Sequence, residues 1–161
     1  MDSNATRRIV MNTLHRAGVC LETPSVQFVD GKIACLNAAS KTYPQFEASV
    51  IRWTTPTELL ESGNLLSHLY GQCQLDFTLH GDELIATGGE GTQGDCGFVR
   101  LERRLPNASP EFLWLIYLPG ANPIKSISVA NGNLLIVTST SDLQFEIPYF
   151  DPLAFMQIPL A

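Results

Sequence analysis

Length, composition and charge limit the classes of protein to which this chain can belong. It has 161 residues, 45% of them hydrophobic and 16% charged, so it is long and apolar enough to bury a core as a single domain and is unlike a disordered tail. A net charge of −6 disfavours nucleic-acid binding, and the longest apolar run, residues 112–118, is far shorter than the ~20 residues that span a bilayer.

The N-terminus and the cysteines indicate a cytoplasmic protein. Arg7 and Arg8 are followed by only three apolar residues before a polar one, so we expect no secretion signal. The cysteines include no C-x-x-C pair, which favours reduced thiols buried as small hydrophobic side chains over a disulfide or a metal site. They are Cys20, Cys35, Cys73 and Cys96.

The first twenty residues predict one helix. Ser3 or Asn4 can cap its start, and Gly18 is a typical stop. Helical spacing places five residues on one side, which we expect to face the core. They are Ile9, Val10, Thr13, Leu14 and Ala17.

After the helix the apolar period changes to two, which predicts strands. Residues 25–29 and 32–36 form a predicted hairpin, because Asp30-Gly31 supplies the positive φ angles of a type I′ turn. Residues 45–53 predict a further strand. Thr55, Pro56 and Glu58 are typical of a helix start, so we expect a short helix that ends at Gly63.

From residue 73 onward almost every segment alternates between apolar and polar residues. Strands are predicted at residues 74–79, 83–87, 98–104, 112–118, 124–129, 134–139 and 143–148. The turns between them include a Gly-rich segment at residues 88–97. We therefore predict a single domain over residues 1–161, with a helix in 1–20 and a β-rich body in 21–161. Its fold is mainly β (α+β), an antiparallel β meander in the form of a sandwich, an open barrel or a curved sheet.

A weak internal repeat leaves a second architecture open. Ile33, Leu84 and Leu134 each follow a Gly-containing turn and an alternating strand, at spacings of 51 and 50 residues. Three such units are fewer than the blades of a propeller, and no Trp-Asp dipeptide closes any of them. A propeller-like scaffolding domain without a dedicated partner stays as the alternative.

Negative charge is concentrated in the middle of the chain. Residues 53–99 hold seven carboxylates and no Lys or Arg, so they project a potential that attracts basic partners, or else serve as a solvated face. We predict a protein-docking face here, with Glu90 and Asp95 as first choices. The carboxylates are Glu58, Glu61, Asp76, Asp82, Glu83, Glu90 and Asp95.

Motifs for catalysis, cofactors and metals are weak. Gly89, Gly91 and Gly94 match the G-x-G-x-x-G string, but a strand follows instead of a helix and two acids flank the loop, so phosphate is disfavoured. No EF-hand spacing, nucleophile elbow or H-E-x-x-H motif is present. The basic residues at 100–104 alternate along a strand with Glu102, which favours pairing with local carboxylates over nucleic acid. We expect no enzyme activity and no cofactor.

The C-terminal half resembles a known group of proteins. After the Gly-rich acidic loop come the segment 97–102, an aromatic strand at 113–117, a turn at 121–124, a hairpin around Asn131-Gly132, and Phe145 to Pro148 leading to Asp151-Pro152. This order, over about residues 60–152, resembles small bacterial immunity proteins encoded beside polymorphic or contact-dependent toxins. The departures from the group's pattern are Ala121 in place of Ser, Ile124 in place of Phe, and Leu143 or Gln144 in place of Trp.

The resemblance implies a binding function in the cytoplasm. Immunity proteins cover a toxin domain, and an acidic segment suits a basic toxin, because complementary charge raises the association rate. We therefore predict a cognate, basic protein toxin as the partner. Neither nucleic acid nor membrane is expected as a partner, and the sequence leaves the oligomeric state open.

Overall fold

The computed structural model describes residues 3–39, 47–92, 96–119, 123–139 and 144–158. The described part of the chain is mainly antiparallel β with an N-terminal helix and one short helix, which confirms the predicted fold class. Its elements in chain order are α1 (Asn4–Arg16), β1 (Val19–Leu21), β2 (Ser25–Phe28), β3 (Ile33–Ala39), β4 (Glu47–Thr54), α2 (Pro56–Glu61), β5 (Leu66–His68), β6 (Tyr70–Leu79), β7 (Asp82–Glu90), β8 (Cys96–Arg103), β9 (Glu111–Pro119), β10 (Ile124–Ala130), β11 (Asn133–Thr138), β12 (Gln144–Pro148), a 3-10 turn (Pro152–Ala154) and β13 (Met156–Gln157).

Three antiparallel sheets make up the β structure. The largest has seven strands in the order β4-β3-β2-β9-β8-β7-β6. Strands β10 to β13 form a four-stranded sheet in sequence order, and β1 and β5 pair as a two-stranded ribbon. The large sheet is a meander except at its centre, where Val26 of β2 lies opposite Ile116 of β9. The sheets do not close into a barrel.

Two hydrophobic clusters cover the two faces of the seven-stranded sheet. Trp114 and Ile116 belong to the cluster shared with the four-stranded sheet. Leu115 and Tyr117 point the other way, into the cluster under α1, α2 and β1. Because both faces of β9 are covered, this strand has no polar face, and the predicted burial of Trp114, Leu115 and Ile116 is confirmed.

Helix α1 begins and ends where the sequence predicts, but only part of its expected side is buried. Ser3 caps it by accepting a hydrogen bond from the Thr6 backbone, and Gly18 follows its last turn with φ +69°. Ile9, expected to face the core, is exposed, whereas Met11 is buried and His15 points inward. Of the expected side, Leu14 packs against the core, whereas the helix also covers a polar position of the sheet, Glu102, to which His15 hydrogen-bonds.

The tight turns also differ in part from expectation. Type I′ turns need two residues with positive φ, but at Asp30-Gly31 only the glycine has one, +83°. Phe28 instead accepts a hydrogen bond from the Gly31 backbone in a longer turn. The two-residue turns with both φ positive are His80-Gly81 and Asn131-Gly132.

The acidic Gly-rich segment is mostly strand. Strand β7 continues through Gly88 and Gly89 to Glu90, which lies opposite Tyr70 of β6 and Gly97 of β8. The predicted loop over 88–97 was therefore too long. Glycine is needed here because a Cβ at Gly89 would overlap the Tyr70 carbonyl, and one at Gly88 would meet Ile124 at 2.7 Å.

Some predictions concern residues that the structure does not describe. These are Asp95, the start of the strand predicted at 45–53, residues 121–122 of the turn before β10, and the first residue of the strand predicted at 143–148. The segments around Ile33 and Leu84 belong to one continuous sheet, so the spacing of about 50 residues does not mark separate propeller blades. No helix in the described ranges is long and apolar enough to cross a membrane.

Candidate functional site: an acid-rimmed apolar surface

Helix α2 begins with a complete capping box. The Glu58 backbone donates to the Thr55 hydroxyl (3.3 Å), while the Glu58 carboxylate accepts from the Thr55 backbone (3.2 Å) and from the Thr54 hydroxyl (2.7 Å). The hydrogen bond from Thr54, helped by those from Thr55 and by the charge of Arg52, holds the pKa of Glu58 below its usual range. Glu58 is therefore ionised, and its oxygens are engaged in fixing the helix start.

Three of the predicted docking carboxylates have positive partners from the neighbouring part of the chain. Arg104 lies 3.0 Å from Asp76 and 3.9 Å from Glu83, and Arg103 lies 3.6 Å from Asp82. This confirms that the basic residues after 100 pair with local carboxylates. It also means that the absence of Lys and Arg within residues 53–99 does not leave the β6–β7 hairpin without countercharge.

Besides Glu58, whose oxygens are engaged at the start of α2, Glu61 and Glu90 are the predicted carboxylates that form no ion pair with any other described residue. Glu61 ends α2 and is exposed. Glu90 ends β7 directly opposite Tyr70, so both side chains point to the same face of the sheet. The remaining first-choice residue, Asp95, lies outside the described residues.

Exposed apolar side chains occur near each of these two acids, either in the chain or across the sheet. Tyr70 is 53% exposed, Leu66 44%, Leu65 70% and Leu60 40%. Together with Glu61 and Glu90 they form what we call the acid-rimmed surface. Exposed apolar groups accompanied by acids are candidates for protein binding.

Strand β5 explains why these apolar residues face outward. Its side chains alternate, so the buried Ser67 points toward the large sheet while Leu66 and His68 point to solvent. The sequence predicted no strand here, because three residues are too few to show a period. The sequence therefore did not reveal Leu65, Leu66 and Tyr70 as candidate binding residues.

A buried hydroxyl network holds β5 in place. Ser67 accepts a hydrogen bond from the Tyr117 hydroxyl (3.2 Å) and from the Thr92 backbone (3.1 Å), and the His68 backbone donates to the Thr92 hydroxyl (2.9 Å). Burial raises the pKa of Tyr117 above its usual range, so its hydroxyl stays protonated and can donate. Gly91 leaves room for this network, since a Cβ there would lie 2.8 Å from both hydroxyl oxygens.

A second polar cluster, also missed from the sequence, lies under α1. His15 Nε2 is 3.0 Å from Glu102 Oε2, and Arg100 Nε is 3.2 Å from Glu102 Oε1. Burial by itself raises the pKa of Glu102, but the hydrogen bond from His15 and the charge of Arg100 outweigh it and hold the pKa below its usual range. The His15 ring stacks on Phe112 with centroids 4.9 Å apart.

This cluster joins helix to sheet. Among the described residues, no Ser or Cys side chain forms a hydrogen bond with His15. Nor do three His, Cys, Asp or Glu side chains of the described ranges converge as metal ligands would. Three cysteines, Cys20, Cys35 and Cys96, are buried as predicted, and Cys73 is half-buried.

The chain matches no protein-family model, and comparison with curated proteins and with solved structures finds no significant match.

Proposed function

We propose that the chain is a non-catalytic binding protein of the immunity type, which neutralises a basic toxin domain in the cytoplasm. The observation that carries this proposal is the acid-rimmed surface. Its four exposed apolar side chains supply area that a partner can bury, and Glu61 and Glu90 supply negative charge beside it.

The roles of apolar and acidic groups in such an interface differ. Burial of aromatic and aliphatic side chains, above all Tyr70, accounts for most of the affinity and slows dissociation. Charges at the rim act mainly on the association rate, because they steer a partner of opposite sign. A toxin must be captured before it acts, so fast association is the property that the acids would serve.

The ion pairs of the β6–β7 hairpin shift the expected centre of the interface. Asp76, Asp82 and Glu83 are already close to Arg103 or Arg104, and a toxin cation would have to compete with these arginines. The carboxylates of the acid-rimmed surface have no such competitor among the described residues. Glu90 therefore stays a first choice, and the hairpin acids become secondary.

The test is binding to the toxin domain encoded by the neighbouring gene, measured as association and dissociation rates at two salt concentrations. Tyr70→Ser with Leu66→Ser should mainly raise the dissociation rate. Glu61→Gln with Glu90→Gln should slow association by about tenfold at low salt and reduce its salt dependence.

Matched controls lie in the last strand, β13, and at the 3-10 turn before it. Met156→Ser and Asp151→Asn change an equally exposed apolar residue and an exposed acid away from the surface, and both should leave the rates unchanged. Equal effects of test and control variants would contradict the proposed interface. Absence of binding to any neighbouring toxin would contradict the immunity function and favour a scaffolding domain.

A further inference from the structure

The edge strand β4 offers a second surface, of opposite charge. Among the described strands β4 pairs only with β3, so its other side presents backbone N–H and C=O groups at the end of the seven-stranded sheet. Such an edge is a template for one more strand. The opposite edge, β6, carries outward-facing Gln72, Gln74 and Asp76, the polar residues that usually discourage pairing.

The side chains of β4 are more apolar, with Arg52 as the charged residue of its described side chains. Val50 is 43% exposed, Ile51 62% and Trp53 54%, and no acid or proline interrupts residues 48–54. The register shifts between Cys35 and Leu36, so Ile51 is the extra residue of a bulge and the edge is divided into residues 47–50 and 52–54. The second of these segments leads directly to a cavity.

That cavity has a volume of about 470 Å³ and combines an aromatic wall with cations. It lies between the start of α1, the β2–β3 turn and the start of α2, and it is lined by Arg7, Lys32, Trp53, Thr54, Thr55 and Glu58. The Trp53 ring is stacked near Phe28, with centroids 6.1 Å apart, which fixes it as one wall.

Arg7 is held at this wall by the turn beside it. Gly31 has φ +83°, and a Cβ there would overlap the Arg7 side chain, so this glycine permits the close approach of α1. The guanidinium donates to Asn4 through one nitrogen, while its Nε is buried with no hydrogen-bond partner among the described residues. The positive charge of this guanidinium favours a negatively charged group in the cavity.

The charges around the edge select the partner. Arg7, Lys32 and Arg52 bring three positive charges to this end of a chain whose net charge is −6. Two carboxylates offset them in part: Asp30 lies 3.7 Å from Lys32, and Glu58 lines the same cavity. A second copy of β4 would add another Arg52 to these cations. A nucleic acid cannot pair with strand backbone, so a protein segment is the occupant that fits this edge.

We propose that β4 binds an extended acidic segment of a partner protein as an additional strand. Apolar side chains of that segment would lie on Trp53 and Ile51, its backbone would pair with β4, and a carboxylate would reach Arg7 and Lys32 in the cavity. This surface is distinct from the acid-rimmed surface, so the inference does not depend on the immunity function.

The test uses two acetylated, amidated octapeptides, one alternating valine with glutamate and one alternating valine with lysine. Tryptophan emission reports binding, because Trp53 is half-exposed whereas the other tryptophan, Trp114, is buried. The glutamate peptide should shift the emission to shorter wavelength and saturate, and the lysine peptide should not. A glutamate peptide with two central prolines should fail as well, since it cannot form a strand.

Variants of the protein locate the contact. Arg7→Gln with Lys32→Gln should weaken binding of the glutamate peptide by about tenfold, whereas Arg16→Gln, an exposed basic residue at the other end of α1, should not. Trp53→Phe should abolish the shift. Binding of the lysine or proline peptide with equal strength, or no binding of the glutamate peptide, would overturn the inference. Concentration-dependent dimerisation that Ile51→Lys removes would assign the edge to a second copy and overturn it too.

Discussion

The hydrogen bond between His15 and Glu102 connects α1 to the middle of the large sheet. Both side chains are nearly buried, at 13% and 10% exposure, and Arg100 lies on the other carboxylate oxygen. Three polar residues thus occupy a place where a helix usually presents apolar ones. The arrangement explains why α1, with only Met11 fully buried, stays on the sheet.

Glu102→Gln should lower the free energy of unfolding by about 1–3 kcal/mol at neutral pH, because it removes a charge that two partners stabilise. The pKa of Glu102 is lower in the folded than in the unfolded chain, so its contribution is complete above about pH 4.3 and is lost as the pH falls through the folded pKa. Urea unfolding at pH 7 and pH 3 measures this. A difference between variant and parent that does not shrink at pH 3, or that equals the effect of the exposed Glu61→Gln, would contradict it.

Trp114 combines burial with a hydrogen bond. Its ring is 4% exposed, and its indole N–H donates to the Tyr149 carbonyl at 2.8 Å. Trp114→Ala should cost about 3–5 kcal/mol through the cavity and the lost contact. Trp114→Phe should cost less, because it keeps most of the packing. Thermal melting followed by circular dichroism compares the two, and an unchanged midpoint for Trp114→Ala would contradict the packing described.

Longer elements with caps and turns were predictable, whereas short ones were not. Thr55, Pro56 and Glu58 formed the predicted helix start, with a capping box, because every group in it is local in sequence. Strands β1 and β5 depend on each other and on the Ser67 network, which joins residues far apart in the chain. The acid-rimmed surface was therefore only half predictable: its acids follow from composition, but its apolar centre follows from which side of β5 is buried.

Gly91→Ala should disturb β5, which belongs to the acid-rimmed surface, and leave the rest of the fold largely unchanged. The new methyl group would lie too close to the Ser67 and Tyr117 hydroxyl oxygens, so β5 must move, at a cost of about 1–3 kcal/mol. Hydrogen exchange of the β5 amides should rise while that of β8 and β9 changes little. Gly81→Ala is the control, since nothing lies near its Cβ position and only its positive φ is strained. Equal exchange of β5 in both variants would contradict the proposed role of Gly91.

The molecule as a whole differs in charge between its two candidate surfaces. The acid-rimmed surface lies at α2, β5 and the end of β7, whereas the cations of Arg7, Lys32 and Arg52 surround the β4 edge. The sequence indicated the acidic surface but not the basic one. The acids fall within one stretch of the chain, whereas the three cations come from α1, the β2–β3 turn and β4. The two proposed surfaces should consequently respond to salt independently.

The central position of β9 has a consequence for how the chain acquires this structure. Strand β2 is hydrogen-bonded to β3 on one side and to β9 on the other, although β9 is made long after both. During synthesis, strands β2 to β4 therefore have no partner for the open side of β2 until residue 119 has left the ribosome. Pairing over such long stretches of chain slows folding and exposes unpaired strands to aggregation. We expect fragments that end before β9 to remain unfolded, and nascent chains of this protein to depend on chaperones until β9 inserts.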